Sequence, residues 1–259
     1  MGFFRNIISS ITSIPAYRDF AEESPGRALL HFFLIFTLLF TPAAVTLPPV
    51  ISSFTDELGR EIRTNVPDFR IVNGELDFKA EMPYIIEREN NFILIVDTTG
   101  ELNEAALDKY PNGVFVEKNR AVIKDEQQGI NTIDFRAFKD RDISRESVLN
   151  FFEALRKFTP LIILAIFIFG FLAKIISILI LSLIGLAMKG KANLTFRHTW
   201  GITCHALTLP MLLETVKDLA VPQLPGFFII YFGIAIFYMY KGIQAAKEIR
   251  DDTGPVIPV

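Results

Sequence analysis

Cysteine is almost missing from this chain: Cys204 is the single one in 259 residues. No intrachain disulfide can form, so cysteine usage identifies no redox compartment. Histidine is scarce too, at three, and no third ligand at metal-like spacing accompanies His198, Cys204 and His205. No glycine-rich phosphate loop and no acid–base dyad is present. The opening GFFRNIISSITSIPAYRDF lacks the continuous apolar core and small-residue cleavage site of a secretory signal. Asn6 stands where a myristoylation motif needs Ser or Thr. Basic residues are spread along the chain, which removes the usual footprint of nucleic-acid binding. The most informative scarcity is of charge. From Leu161 to Met188, LIILAIFIFGFLAKIISILILSLIGLAM, Lys174 is the one charged residue.

What fills that run is hydrocarbon. At about 1.5 Å of rise per residue it exceeds a bilayer core of about 30 Å, long enough to cross even when tilted. Half of the residues are hydrophobic (51%) and 25 are Phe, yet 21% are charged, too many for a chain lying wholly in lipid. The charges are therefore segregated. Between Ile51 and Lys157 stand 21 acidic and 15 basic side chains, net −6, and the remainder carries +3. A block of that length makes one small domain.

In chain order, Phe3, Phe4, Ile7, Ile8, Ile11 and Ile14 share a helical face. They predict a helix lying on the membrane surface, with a helix packed under the bundle as the alternative. Ser24-Pro25 opens the first spanning helix, and Pro48-Pro49 is expected to end it. Val50, Phe54, Leu58 and Ile62 then form an amphipathic continuation outside the lipid. From Asp68 to Phe138 the period changes to two. FRIVNGELDFKA is a hairpin about Asn73-Gly74, and MPYIIER and NFILIVD are strands. Residues 103–110 read as a short helix, GVFVEKNRAVIKD as a second hairpin and NTIDFRAF as a last strand. Ser144 opens a helix that feeds the organising run. Beyond Met188, a basic loop leads to a segment containing Thr203, Cys204, His205, Thr208, Pro210 and Glu214. So many polar groups suit a spanning helix only where they face other helices.

The predicted fold is an α-helical integral membrane protein. It is a four-transmembrane-helix bundle with an inserted extracytoplasmic α+β domain of mostly antiparallel sheet. The boundaries are a cytoplasmic or interfacial amphipathic segment over 1–27, transmembrane helices over 28–48, 160–188, 199–220 and 226–241, the extracytoplasmic domain over 49–159, and a cytoplasmic tail over 242–259. Basic residues in short loops set orientation. Four crossings place Arg5, Arg18, Arg27, Lys189, Lys191, Arg197, Lys241, Lys247 and Arg250 on one side, so both termini are expected in the cytoplasm. Three crossings, with 199–220 left in the interface, would send the basic tail outward.

Lys174 is the sharpest candidate, because a lysine inside a spanning helix pairs, snorkels or serves a pathway. Lys174 and Glu214 each lie fifteen positions from the edge at Lys189 and Thr199, roughly 22 Å at 1.5 Å per residue. They are level, which predicts an intramembrane pair; separate snorkelling is the alternative. Cys204 and His205 are neighbours and point about 100° apart on a helix, so they make no nucleophile–base contact. His198, His205 and Cys204 are read as interhelical polar residues. Asp97-Thr98-Thr99-Gly100 departs from the aspartic-protease loop by one extra Thr and has no second copy, so Asp97 is read as a turn former.

Several stretches carry a family resemblance: Phe69-Arg70-Ile71-Val72-Asn73-Gly74, Ile95-Val96-Asp97-Thr98-Thr99-Gly100 and Leu194-Thr195-Phe196-Arg197-His198-Thr199-Trp200. With this order of parts, the chain resembles the bacterial family known as domain of unknown function 1189. The resemblance implies a multi-pass protein of a bacterial cytoplasmic membrane, mainly Gram-positive in type and distantly similar to the Yip1 group. Some members are labelled maltodextrin-utilisation membrane proteins. It carries over no catalytic residue and no cofactor. The expectation is a non-enzymatic accessory or sensor protein whose partners are the lipid bilayer and a membrane-protein partner or a second copy of itself. Its outer domain would bind an envelope component or partner, and its helices would dock a complex such as a sugar transporter. The alternative is a small transporter or channel subunit with a polar pathway between the second and third helices; an intramembrane enzyme comes last.

Overall fold

Apolar spacing of three and four builds helices here, and spacing of two builds strands. The computed structural model describes residues 2–87, 91–126 and 129–252. It divides into two units, Met1–Leu47 with Pro160–Val259, and Pro48–Thr159.

In the first unit α1 (Phe3–Thr12) and α2 (Tyr17–Glu22) precede α3 (Pro25–Asn65). The prolines do not end α3, as the sequence led one to expect; it runs unbroken through Pro42, Pro48 and Pro49. Each proline removes one backbone bond, but its φ is already helical, and helix propagation over so long a run outweighs three missing donors. Pro48 marks the change of unit, not the end of the helix. α5 (Thr159–Met188) follows the second unit, then α6 (Phe196–Ala206), α7 (Thr208–Ala220) and α8 (Phe227–Asp252). The segment expected as one span over 199–220 is thus two helices that meet at Leu207. Pro210 has no N–H for the carbonyl of Ala206, which breaks the ladder there. α8 continues past the expected end at 241, and 253–259 of the expected tail lie outside the described residues. Among the described residues three helices are long and apolar enough to cross a membrane: α3, α5 and α8.

The core of this unit is built from Tyr17, Phe20, Phe32, Ile178, Leu207 and Met239, all essentially inaccessible. α1 meets it with an unexpected face. Asn6 and Ser10 are buried and Phe3 and Ile7 pack beside them, whereas Phe4 and Ile8 are 72% and 62% exposed. Its apolar arc is wide enough to serve both directions, and Ser10 finds a partner inside, its Oγ lying 2.9 Å from His205 Nδ1.

The Pro48–Thr159 unit carries two sheets. β1 (Phe69–Val72), β2 (Glu75–Phe78) and β8 (Ile143–Ser144) form one in the order β2-β1-β8. Asn73 and Gly74 both have positive φ, 55° and 80°, as a two-residue hairpin turn requires. The other sheet runs β3-β4-β5-β6-β7, from Tyr84–Glu87, Phe92–Val96, Asn112–Val116, Arg120–Asp125 and Gly129–Asp134. Its pairs are antiparallel except β4 with β5, which is parallel. The sheet is mixed because the chain crosses over through residues 97–111 before β5. Within that crossover only Glu104–Leu107 is helical, one 3-10 turn, since so short a run cannot sustain an α-helix. The strand expected over NTIDFRAF stops at Asp134, whose side chain accepts from the Arg136 amide and opens a 3-10 turn over Phe135–Phe138. Arg88, at the end of the expected MPYIIER strand, lies outside the described residues. β4 is buried on both faces, by Ile93 and Ile95 on one and Val96 on the other. The α4 helix (Arg145–Lys157) starts at a capping box in which Ser144 and Ser147 bond each other's backbone amides.

Asp97 closes β4 as a structural carboxylate. It is 1% exposed, and it accepts from the Thr99 amide and hydroxyl at 2.8 and 2.6 Å, from Gly100 N at 3.2 Å and from Leu102 N at 2.6 Å. Burial pushes the carboxyl upward, but these four donors outweigh it and hold it below the usual carboxylate range. Its stabilising contribution is therefore present above the unfolded-state pKa and is lost as pH falls through the lower folded value. Asp97→Ala strands buried donors and is expected to destabilise the unit by about 2 to 4 kcal/mol. Denaturant unfolding of the full chain, followed by fluorescence of a reporter attached at Asn119, checks this. The deficit against wild type should shrink in acid.

Candidate functional site

Charged and polar side chains gather at two places in the helical unit. In the first, Lys174 of α5 reaches Glu214 of α7, Nζ to Oε2 at 2.6 Å, and donates also to the Tyr231 hydroxyl of α8 at 3.2 Å. The ammonium lies 4.3 Å from the centroid of the Tyr231 ring, adding a cation–π contact. The side chains of Lys174 and Glu214 are 21% and 35% exposed. They border a cleft of about 340 Å³ lined by Phe36, Phe40, Gly170 and Met211. Three helices are thus fastened by one neutralised charge pair, which is how a lysine is accommodated in apolar surroundings. Tyr231 was not foreseen. Its only signal is a hydroxyl at the head of the last apolar run, level with Lys174 once the helices are set side by side.

The second cluster surrounds His205 of α6, which is fully buried. Phe20 stacks on its ring at 3.6 Å and 2°, and His31 at 4.1 Å and 23°. Two rings parallel to a third at these distances lie on its opposite faces. In the ring plane, Nδ1 is 2.9 Å from Ser10 Oγ and Nε2 is 3.2 Å from Glu23 Oε2. The Ser10 hydroxyl also lies 2.7 Å from the Asn6 carbonyl. His31 is 5% exposed and neither ring nitrogen has a hydrogen-bond partner. Ser10, Glu23 and His31 come from α1, the end of α2 and α3, and no spacing in the chain pointed to them.

The other sequence candidates separate. Cys204 is buried. His198 stands two turns before His205, accepts the Thr195 amide on Nδ1 at 2.9 Å and caps α6. Its Nε2 faces Glu22 at 3.5 Å. α3, α5, α7 and α8 contribute apolar residues to one buried core, among them Phe32 and Ile35, Ile178 and Leu181, Met211, and Ala235 and Met239. Among the described residues no group of three or more His, Cys, Asp or Glu is placed to hold a metal ion.

No curated protein and no solved structure matches the chain. The family described as Protein of unknown function (DUF1189) matches residues 4–243, a span that contains both clusters. The chain belongs to that family.

Proposed function

We propose that this is a non-enzymatic accessory or sensor protein of a bacterial cytoplasmic membrane. Its Pro48–Thr159 unit lies outside and binds an envelope component or partner, and its helices dock another membrane complex, such as a transporter. One observation carries the choice of docking over conduction. Lys174 and Glu214 already neutralise each other, and buried apolar residues of α3, α5, α7 and α8 pack into one core. A transport pathway needs polar groups in continuity. α6 and α7 together extend about 37 Å at 1.5 Å per residue, long enough for a fourth, bent crossing. Four crossings keep the basic loops on one side with both termini in the cytoplasm. Outside, a broad charged groove of about 500 Å³ bordered by Arg70, Asp142, Arg145 and Asp68 suits a polymer or protein surface.

The test is photo-crosslinking in native membranes from α5 positions that face outward, Ile176 and Ile180. A discrete, stoichiometric protein adduct is expected. Lipid adducts alone, together with solute flux in proteoliposomes that Lys174→Ala abolishes, would favour the transporter reading and end this one. Protease added to protoplasts should cut within Pro48–Thr159 and spare the ends; the reverse pattern inverts the sidedness.

A further inference from the structure

We propose that the cleft beside Lys174 and Glu214 binds a neutral lipid alcohol, a molecule with one hydroxyl on a hydrocarbon body. The proposal rests on α5 crossing the bilayer and is independent of the docking reading above. Lys174 stands at the middle of α5 (Thr159–Met188), about 22 Å from either end at 1.5 Å per residue. Its ammonium therefore lies deep in a hydrocarbon core of about 30 Å, away from the phospholipid headgroups. An ammonium carries three hydrogens and a carboxylate two accepting oxygens. Two of those hydrogens go to Glu214 Oε2 and the Tyr231 hydroxyl. Among the described residues nothing accepts the third, and nothing donates to Glu214 Oε1. Both side chains line the cleft and keep 21% and 35% of their surface exposed. A free donor thus stands next to a free acceptor. A single hydroxyl, accepting from Nζ and donating to Oε1, satisfies both.

The charge already present fixes the head as neutral. An anion would meet Glu214 and a cation would meet Lys174, so either must break the 2.6 Å pair or bring an uncompensated charge into apolar surroundings. Further along the cleft, Asp218 is held by Lys217, and the Thr215 hydroxyl donates to the Met211 carbonyl at 3.1 Å. Much of the remaining lining is hydrocarbon, from Phe36, Leu39, Phe40, Ile166 and Leu219. At about 340 Å³ the cleft has room for about ten waters at ~30 Å³ each, but a held water needs about three polar partners, and such walls do not supply them. An amphiphile fits where water does not. Ile166 and Leu219 are 45% and 62% exposed, which opens the cleft sideways to lipid. A Cβ on Gly170 would meet only Phe36, at 3.4 Å, so the wall of α5 is low between Lys174 and Ile166 and a chain can lie along it. Those two residues are about 12 Å apart along the helix at 1.5 Å per residue.

The test is photolabelling of the purified full chain in lipid nanodiscs with a diazirine analogue of oleyl alcohol, the adducts being located by peptide mass spectrometry. Saturable labelling within 36–43, 166–170 or 211–219 is expected. Unlabelled oleyl alcohol should displace the probe about tenfold better than the same chain without its hydroxyl, the worth of the two hydrogen bonds, and better than oleate or oleylamine. The double variant Lys174→Met with Glu214→Leu removes the pair without leaving a lone charge, and should label equally with the alcohol and the hydrocarbon. Gly170→Leu keeps the pair and fills the cleft, and should lose labelling by both. Labelling that does not saturate, equal displacement by the plain hydrocarbon or the charged chains, or an alcohol preference that survives in the double variant would overturn the proposal. A missing protein adduct at Ile176 and Ile180 would end the docking reading and leave this result standing.

Discussion

Lys174→Met is expected to lower the stability of the full chain by about 3 kcal/mol, seen in detergent micelles as a melting point several degrees lower. The variant removes a cation from 2.6 Å beside Glu214 and leaves a carboxylate in an apolar cleft with the Tyr231 hydroxyl for company. A fully enclosed pair would lose more; partial exposure of both side chains lets water soften the penalty. The double variant Lys174→Met with Glu214→Leu should recover most of the loss, because no unpaired charge then remains and apolar atoms replace the bridge. Single variants both within about 0.5 kcal/mol of wild type would show that the pair fastens nothing.

Gly201→Ala is expected to be more disruptive than its one added methyl suggests. A Cβ at Gly201 would sit 2.2 Å from the carbonyl oxygen of Phe20, a backbone atom that cannot rotate away. α2 must then move off α6, and Phe20 loses its 3.6 Å stack on His205. Overpacking of this kind typically costs about 1 to 3 kcal/mol, and the lost stack places Gly201→Ala at the upper end. Gly26→Ala, where a Cβ meets nothing within 4 Å, is the matched control and should be near neutral. Thermal unfolding of both variants, with near-ultraviolet circular dichroism of the aromatic cluster, distinguishes local displacement from general instability. An unchanged Gly201→Ala melting point would mean that the two helices are not held in this close approach.

The two clusters differ in how far they could be read in advance. Lys174 and Glu214 were legible because an isolated charge in an apolar run demands a partner and a helix is a ruler: counting from the loop edges put both at one depth. The cluster at His205 was not. Its partners Ser10, Glu23 and His31 stand more than 170 positions away on other elements, and a serine within an amphipathic turn looks like any other serine. The strands were visible in the alternation of FRIV and RAVIKD and in the short unbroken apolar run FILIV. The direction in which β4 and β5 pair was not, because alternation specifies a face and carries no sign for orientation. Pro48-Pro49 misled for the opposite reason: a strong local stop signal was overridden by a long cooperative helix.

By itself the sequence determined that apolar runs too long for a soluble core alternate with one acidic, strand-forming block, since hydrophobic length and charge segregation are properties of the chain alone. It also singled out Lys174 and Glu214 as level in depth, leaving pairing and separate snorkelling open; the structure decided for the pair. Only the tertiary structure decided that α1 turns its polar side inward, that His205 lies between Phe20 and His31, and that the region of Pro210 is a break between two helices. Those outcomes depend on which surfaces meet, and a buried hydrogen bond acquires its value from the partner that folding brings to it.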